Sequence, residues 1–328
     1  MSETPYQGLT PDLILNSLES IGLRPTGHLF ALNSYENRVY QIGIEADSDE
    51  IFYVAKYYRP SRWTSSQILE EHSFAEELFE NEIPVIPPLR LLDKTLFEFS
   101  DFYFALFEKS GGRAPELEDR ETLQWIGRFI GRIHAVGAVR SFRHRANLTP
   151  DVFGRSAANF LIANNFIPPE LKKIYAELVD FALDLIDMNL KRVKGLHTQR
   201  ILGDCHPGNI LWRVNDGPRF VDLDDSMMGP AVQDLWMMLS GDEELATQQL
   251  DWLLSGYEDF TAFDRSELIL VEPLRTMRII YYAGWLARRW SDPAFGQAFP
   301  WFNTQAYWEQ HIGHLREQVG LLQENPWL

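Results

Sequence analysis

Near residue 112 the hydrophobic period of this 328-residue chain changes, and that change divides it in two. Between about 29 and 58, LFALN, RVYQIGI and IFYVAKYY are rich in aromatic and β-branched residues and are separated by the polar turns SYEN and EADSDE. Such side chains suit a pleated, half-buried surface, so these segments read as a strand meander. LRLLD, TLFEFS and FYFALFEK extend the strand pattern, and Gly111-Gly112 ends it. Two helices are set into this part: 10–22, with Thr10 as N-cap and Pro11 at the first helical position, and 64–81, with Thr64 as cap. Beyond 112 apolar residues recur every three to four positions. That spacing predicts helices over 119–137, 169–194, 231–240, 245–258, 265–291 and 305–323, interrupted by a β-rich island at 200–225. Strands first and helices after make an α+β chain of two lobes, 1–110 and 111–328, hinged near 107–113.

Composition narrows what the lobes can bind. Hydrophobic residues make up 45% of the chain, with 21 Phe, 12 Tyr and 10 Trp, too much apolar area for a solvated coil. Thirty basic against 47 acidic residues leave a net charge of −17. That balance argues against broad nucleic-acid or anionic-membrane binding and fits a cationic partner better. Cys205 is the single cysteine, so no intramolecular disulfide forms, which agrees with a reducing cytosol. Met1-Ser2-Glu3-Thr4-Pro5 has no apolar signal region and no run of about 18 uncharged apolar residues occurs, so a cytoplasmic monomer is expected.

The island carries the chemistry. Gly203-Asp204-Cys205-His206-Pro207-Gly208-Asn209 leads into the apolar segment Ile210–Trp212. After the turn Asn215-Asp216-Gly217-Pro218 comes Phe220–Asp222, followed by Leu223-Asp224-Asp225. A hairpin of the two apolar segments brings Asp204, Asn209 and Asp222 to one end. Two carboxylates and an amide oxygen suit a hard cation such as Mg²⁺, which completes its shell with water and substrate phosphates. This is the donor set of a nucleotide enzyme.

Asp204 and Asn209 are five residues apart and Asp222 follows 13 later, the grammar of a kinase catalytic loop and its metal-binding Asp. The chain thus resembles the protein-kinase-like superfamily, in its aminoglycoside phosphotransferase/choline kinase-like branch. NSYENRVYQ (33–41), GDCHPGNILWR (203–213), FVDLDDSMMGPAVQDLW (220–236) and DPAFGQAFPW (292–301) resemble the bacterial stress response kinase A group over nearly the whole chain. Leu202 stands where that branch usually has a loop-bracing His. The resemblance implies a bilobal kinase fold using ATP and Mg²⁺. In it Asp204 orients the acceptor hydroxyl and takes its proton, Asn209 and Asp222 hold magnesium, and Asp234 braces the loop from below. Lys56, in the V-A-x-K setting of Val54-Ala55-Lys56, takes the α/β-phosphates, with Glu71 or, one register away, Glu70 as its partner. Loop 33–38 covers the phosphates, with Ser34 as a donor, and Phe107-Glu108-Lys109 receives adenine through backbone groups. Asp224 and Asp225 are read as satisfying loop amides or solvent.

Plainer readings stand beside these. Ser34 is also an ordinary turn serine, Glu71 a solvated helix residue, and His206 a structural hydrogen-bonder. Cys205 reads as a small buried residue. Arg275, Arg278, Arg288 and Arg289 read as a salt-bridged or solvated face, and Trp285, Trp290, Trp301 and Trp308 as core. The expected function is a serine/threonine protein kinase in a bacterial stress response, with autophosphorylation. The alternatives are a small-molecule hydroxyl kinase, whose acceptor is choline, homoserine or an aminoglycoside, and a nucleotide-binding pseudokinase scaffold.

Overall fold

A computed structural model describes residues 5–327 apart from Ser48 and Asn215, so Met1–Thr4 and Asn215 of the expected turn lie outside the described residues. The first part is an antiparallel sheet of β1 (Pro25–Leu32), β2 (Arg38–Glu45), β3 (Glu50–Tyr57), β4 (Phe97–Phe99) and β5 (Phe102–Glu108), in the order β1-β2-β3-β5-β4. Helix α1 (Pro11–Glu19) starts where Thr10 accepts from the Leu13 amide, and α2 (Ser65–Glu80) starts on a reciprocal Thr64/Gln67 capping box.

Strand alternation sorts the side chains between the two helices. Ala55 and Tyr57 face the core shared with Ile14 and Leu18 of α1. Lys56, one residue out of phase, shares the other face with Ala105, its cross-strand partner, which packs on Ile68 of α2. The alternation that makes β3 a strand therefore aims Lys56 under α2. LRLLD is not a strand. Leu92 and Asp93 have φ of 50° and 60°, a tight turn closed by pairing of Leu91 with Lys94. Its leucines lack the branching at Cβ that holds a strand extended.

The second part packs α3 (Arg120–Gly137), α4 (Ser156–Ala163), α5 (Pro169–Arg192), α6 (Gln233–Trp236), α7 (Glu243–Tyr257), α8 (Val271–Arg289), α9 (Pro293–Ala298) and α10 (Gln305–Glu324) about one core. Gly127 and Gly131 let α3 press on α7, because a Cβ at either would collide with the Leu253 or Tyr257 backbone. The segment 231–240 is helical only over α6, and 265–291 divides into a 3₁₀ turn, Arg265–Leu270, and α8. Two short helices, α4 and α9, carry too few turns for their periodicity to show in sequence.

The island forms two ribbons. β6 (Gln199–Ile201) pairs with β9 (Met227–Gly229), and β7 (Ile210–Arg213) with β8 (Gly217–Phe220). Gly217 and Pro218 belong to β8 rather than to the turn, and β8 stops at Phe220, so Asp222 lies beyond the strand. Among the described residues no helix is long and apolar enough to cross a membrane.

Candidate active site

The segment from Leu202 to Asn209 is held from beneath. Asp234, fully buried on α6, accepts from the Leu202 amide at 2.7 Å and the Gly203 amide at 2.8 Å. His134 of α3 meets the same carboxylate at 3.0 Å and reaches the Tyr257 hydroxyl with its other nitrogen. Leu202 itself packs in the core, and the histidine that steadies this loop comes from α3 instead. Gly203 has φ +80°, and a Cβ there would collide with the Asp225 carbonyl, so the sharp turn before Asp204 requires glycine.

Out of this turn Asp204 projects half-buried. Its Oδ1 accepts from Arg278 Nη1 at 2.5 Å, and its Oδ2 lies 3.6 Å from His206 Nε2. His206 Nδ1 accepts from the Gly208 amide at 3.0 Å, which leaves the proton of a neutral ring on Nε2, toward Asp204. Asn209 donates Nδ2 to the Asp204 carbonyl at 3.0 Å, so its amide oxygen is the atom left to meet a cation. The Val221 amide donates to the Asn209 carbonyl at 3.0 Å, tying the Asp222 segment to this loop. Cys205 points into the core, where burial, with Asp234 and Asp204 nearby, raises its thiol well above the ordinary value and makes it unreactive.

Lys56 Nζ sits 2.7 Å from Asp222 Oδ1 and 2.7 Å from Asp224 Oδ1. Burial alone would lower its pKa, but the two carboxylates outweigh that and hold the ammonium above the ordinary lysine value. Asp222 has φ +57°, a left-handed conformation that costs a non-glycine residue about 1–2 kcal/mol and turns its carboxylate outward, 53% exposed. Asp224 points inward and is buried. It takes Lys56, Asn37 Nδ2 at 2.6 Å and Arg62 Nη1 at 3.4 Å. Burial would raise its pKa, but Lys56 and Arg62 hold it well below the usual carboxylate range. Asp225 takes Arg62 Nη2 at 2.7 Å. Asp224 is thus paired with side chains rather than with loop amides or solvent, whereas Asp225 pairs with Arg62 and keeps 34% of its side chain exposed.

The ion partners of Lys56 are therefore these aspartates, not a helix glutamate. Glu71 is buried close by but forms no ion pair with Lys56, and burial, against the pull of Lys56, pushes its carboxyl up to about 8. Glu70 faces elsewhere and accepts from the Arg143, His144 and Arg145 amides at 2.5–3.0 Å.

The turn between β1 and β2 docks on the helical part. Glu36 lies 2.5 Å from Arg289 and accepts from Trp285 Nε1 at 2.6 Å, with Arg59 at 3.7 Å and Arg62 at 3.9 Å. Asn37 bridges Asp224 to the Arg59 amide, and Arg59 continues to Asp292 at 3.0 Å. Ser34 is half-buried in this turn. Phe107, next to last in β5, sets its ring edge-on to His72, and Lys109 reaches over the Phe52 ring. Sequence reasoning missed Glu36, Asn37, Arg62, His134 and the inward Asp224. The signal for Glu36 and Asn37 was present in NSYENRVYQ, where they close the polar turn immediately before β2.

A model of the phosphotransferase enzyme family matches residues 29–269. Stress response kinase A of Escherichia coli is 42% identical over 321 residues, 98% of this chain and 96% of that one. The serine/threonine protein kinase RdoA of Salmonella typhimurium is 40% identical over the same span. Among solved structures, an amicoumacin kinase in complex with AMP-PNP, Ca²⁺ and Ami superposes with a TM-score of 0.70 at 18% identity, covering 92% of this chain and 90% of that one. A microcompartment-associated aminopropanol kinase superposes at 0.69 with 16% identity, covering 96% and 97%. A family model spanning most of the chain, and relatives matching it almost end to end, lead to one conclusion: the chain belongs to the phosphotransferase enzyme family, as an ATP-dependent kinase of the protein-kinase-like fold.

Proposed function

We propose that the chain phosphorylates serine or threonine hydroxyls of proteins, itself included, as part of a bacterial stress response in the cytoplasm. One observation carries the chemistry. A braced loop presents Asp204 and Asn209 next to a segment whose outward Asp222 is already bonded to Lys56. Phosphoryl transfer is mainly positioning and charge neutralisation, and these groups divide that work. Asp204 Oδ1 accepts the acceptor proton once Arg278 yields the oxygen. Lys56 binds nucleotide phosphates, while Asp224, held by Asn37, sets its position and charge and Glu71 lies buried alongside. Asn209 Oδ1, left free by the bond its Nδ2 makes, and the exposed Asp222 carboxylate are hard oxygen donors of the kind Mg²⁺ takes. An ion held by them would neutralise charge on the phosphates. Phe107 and Lys109 offer backbone groups to adenine, Ser34 a hydroxyl to the phosphates. In this reading residues 1–110 form the nucleotide lobe and 111–328 the catalytic and acceptor lobe of a monomer.

The protein acceptor is supported by the relatives named stress response kinase A and serine/threonine protein kinase RdoA. A small-molecule hydroxyl acceptor is the second reading, favoured by likeness in fold to the amicoumacin and aminopropanol kinases. A scaffold without turnover is the third. Incubating the purified chain with labelled ATP, Mg²⁺ and a cell extract, and sizing the products, separates them. The proposal expects labelled protein, including the chain itself, lost in Asp204→Ala while nucleotide still binds. Label confined to small molecules rejects the protein acceptor, and no transfer at all rejects the kinase reading.

A further inference from the structure

Helix α8 crosses the acceptor side of the Asp204 loop. Arg278, Tyr282, Trp285 and Arg289 follow at steps of three or four, so they share one face. Tyr282 stacks on Trp285 with centroids 5.7 Å apart, and the two cations flank this aromatic floor. Arg278 sits on Asp204 and Arg289 on Glu36, each at 2.5 Å. Of the other carboxylates here, Asp222 and Asp224 hold Lys56, and Asp225 holds Arg62. Every carboxylate of this cleft described above thus has a basic partner, apart from Glu71, which is buried on the inner face of α2. The net charge of −17 belongs to the whole surface. On the acceptor side a positive group, Arg278, stands nearest the Asp204 oxygen.

An acceptor hydroxyl must come within about 3 Å of Asp204 to lose its proton. It then stands beside the Arg278 guanidinium, which is 43% exposed and free to swing off the carboxylate. A positive group attached next to that hydroxyl meets like charge, whereas a neutral or acidic neighbour does not. We infer that Arg278 is the specificity-determining residue of the acceptor side, admitting hydroxyls with neutral or acidic surroundings and rejecting those flanked by a cation. The inference rests on the proposed role of Asp204 in a hydroxyl kinase, and it opposes the amine acceptors that the overall acidity suggests.

The test uses the full chain with ATP and Mg²⁺ and three serine peptides that differ only in the residue after the acceptor: Gln, Glu or Lys. An amino alcohol and the corresponding neutral diol form a small-molecule pair. Product formation yields kcat/KM for wild type, Arg278→Gln, Arg278→Lys and Arg278→Glu. For wild type, the Lys peptide or the amino alcohol should fall at least tenfold below its neutral counterpart, about 1.4 kcal/mol. Arg278→Gln should shrink that ratio to within threefold, Arg278→Lys should restore it, and Arg278→Glu should reverse it. Equal turnover of neutral and cationic acceptors by wild type, or a uniform loss across all acceptors in Arg278→Gln, would overturn the inference and leave the kinase reading standing. Absence of transfer to every acceptor would overturn both.

Discussion

Replacing Asp234 with Asn tests how the catalytic loop is held. The substitution keeps volume and shape but turns one carboxylate oxygen into an NH₂ group. Two backbone amides, Leu202 and Gly203, now bond to separate oxygens of Asp234. One of them would instead face a donor in a site with no exposure to water. A hydrogen bond to a charged acceptor contributes about 1.5–3 kcal/mol, and a buried amide left unpaired costs about 1–3 kcal/mol. The amide that keeps its bond keeps only a neutral one. The variant should therefore lose about 2–4 kcal/mol in urea unfolding. Asp204 follows this pair of amides in the chain, and misplacing a group with its proposed role by about 1 Å lowers rates on the order of 100-fold. The proposed nucleotide contacts lie across the cleft at Lys56, so the Kd for ATP should stay within threefold of wild type. The reasoning fails if the variant loses stability yet keeps kcat within threefold, or if ATP binding falls in step with kcat.

Lys56→Met removes the cation shared by Asp222 and Asp224. Asp224 keeps Asn37 and Arg62, so the chain should fold, while phosphoryl transfer falls at least 100-fold; a variant with near-normal turnover would remove Lys56 from the mechanism. Glu71 has a folded-state pKa of about 8, above its ordinary 4.5. The native state thus retains a proton that the unfolded chain releases, and its stabilising effect is complete below pH 4.5 and lost as pH rises through 8. Unfolding free energy from pH 5.5 to 8.5 should fall less steeply in Glu71→Gln than in wild type, and parallel curves would contradict this. Glu36→Gln keeps the Trp285 bond but leaves Arg289 without its carboxylate. Breaking a buried pair this way should destabilise by about 3–5 kcal/mol, and a change under 0.5 kcal/mol would show that the docked turn contributes no ionic stabilisation.

The features legible in sequence are those that a few adjacent residues encode. Thr10 and Thr64 cap helices because a side-chain oxygen reaches an amide three residues on, whatever lies elsewhere. The alternation of IFYVAKYY makes β3 a strand and sets Lys56 opposite in facing to Tyr57. The five-residue interval from Asp204 to Asn209 is enough to place both on one turn. By contrast, choosing among Asp222, Asp224 and Asp225 depends on a left-handed residue followed by a single 3₁₀ turn. Three carboxylates within four positions look alike until the backbone path decides which faces solvent. LRLLD misled because an apolar run has no period of its own.

Amino-acid order alone settled the two-lobed division of strands and helices, the caps, and the five-residue spacing that sets Asp204 and Asn209 on one turn, since these follow from periodicity and contacts a few residues long. Folding in three dimensions decided what each charge meets. Lys56 pairs with residues 166 and 168 positions away instead of the nearby helix glutamate, His134 steadies a loop 70 residues downstream, and Arg278 reaches back 74 residues to Asp204. Coulombic attraction in a low-dielectric cleft depends on distance and burial, and both come into being only when sheet and helices close on one another.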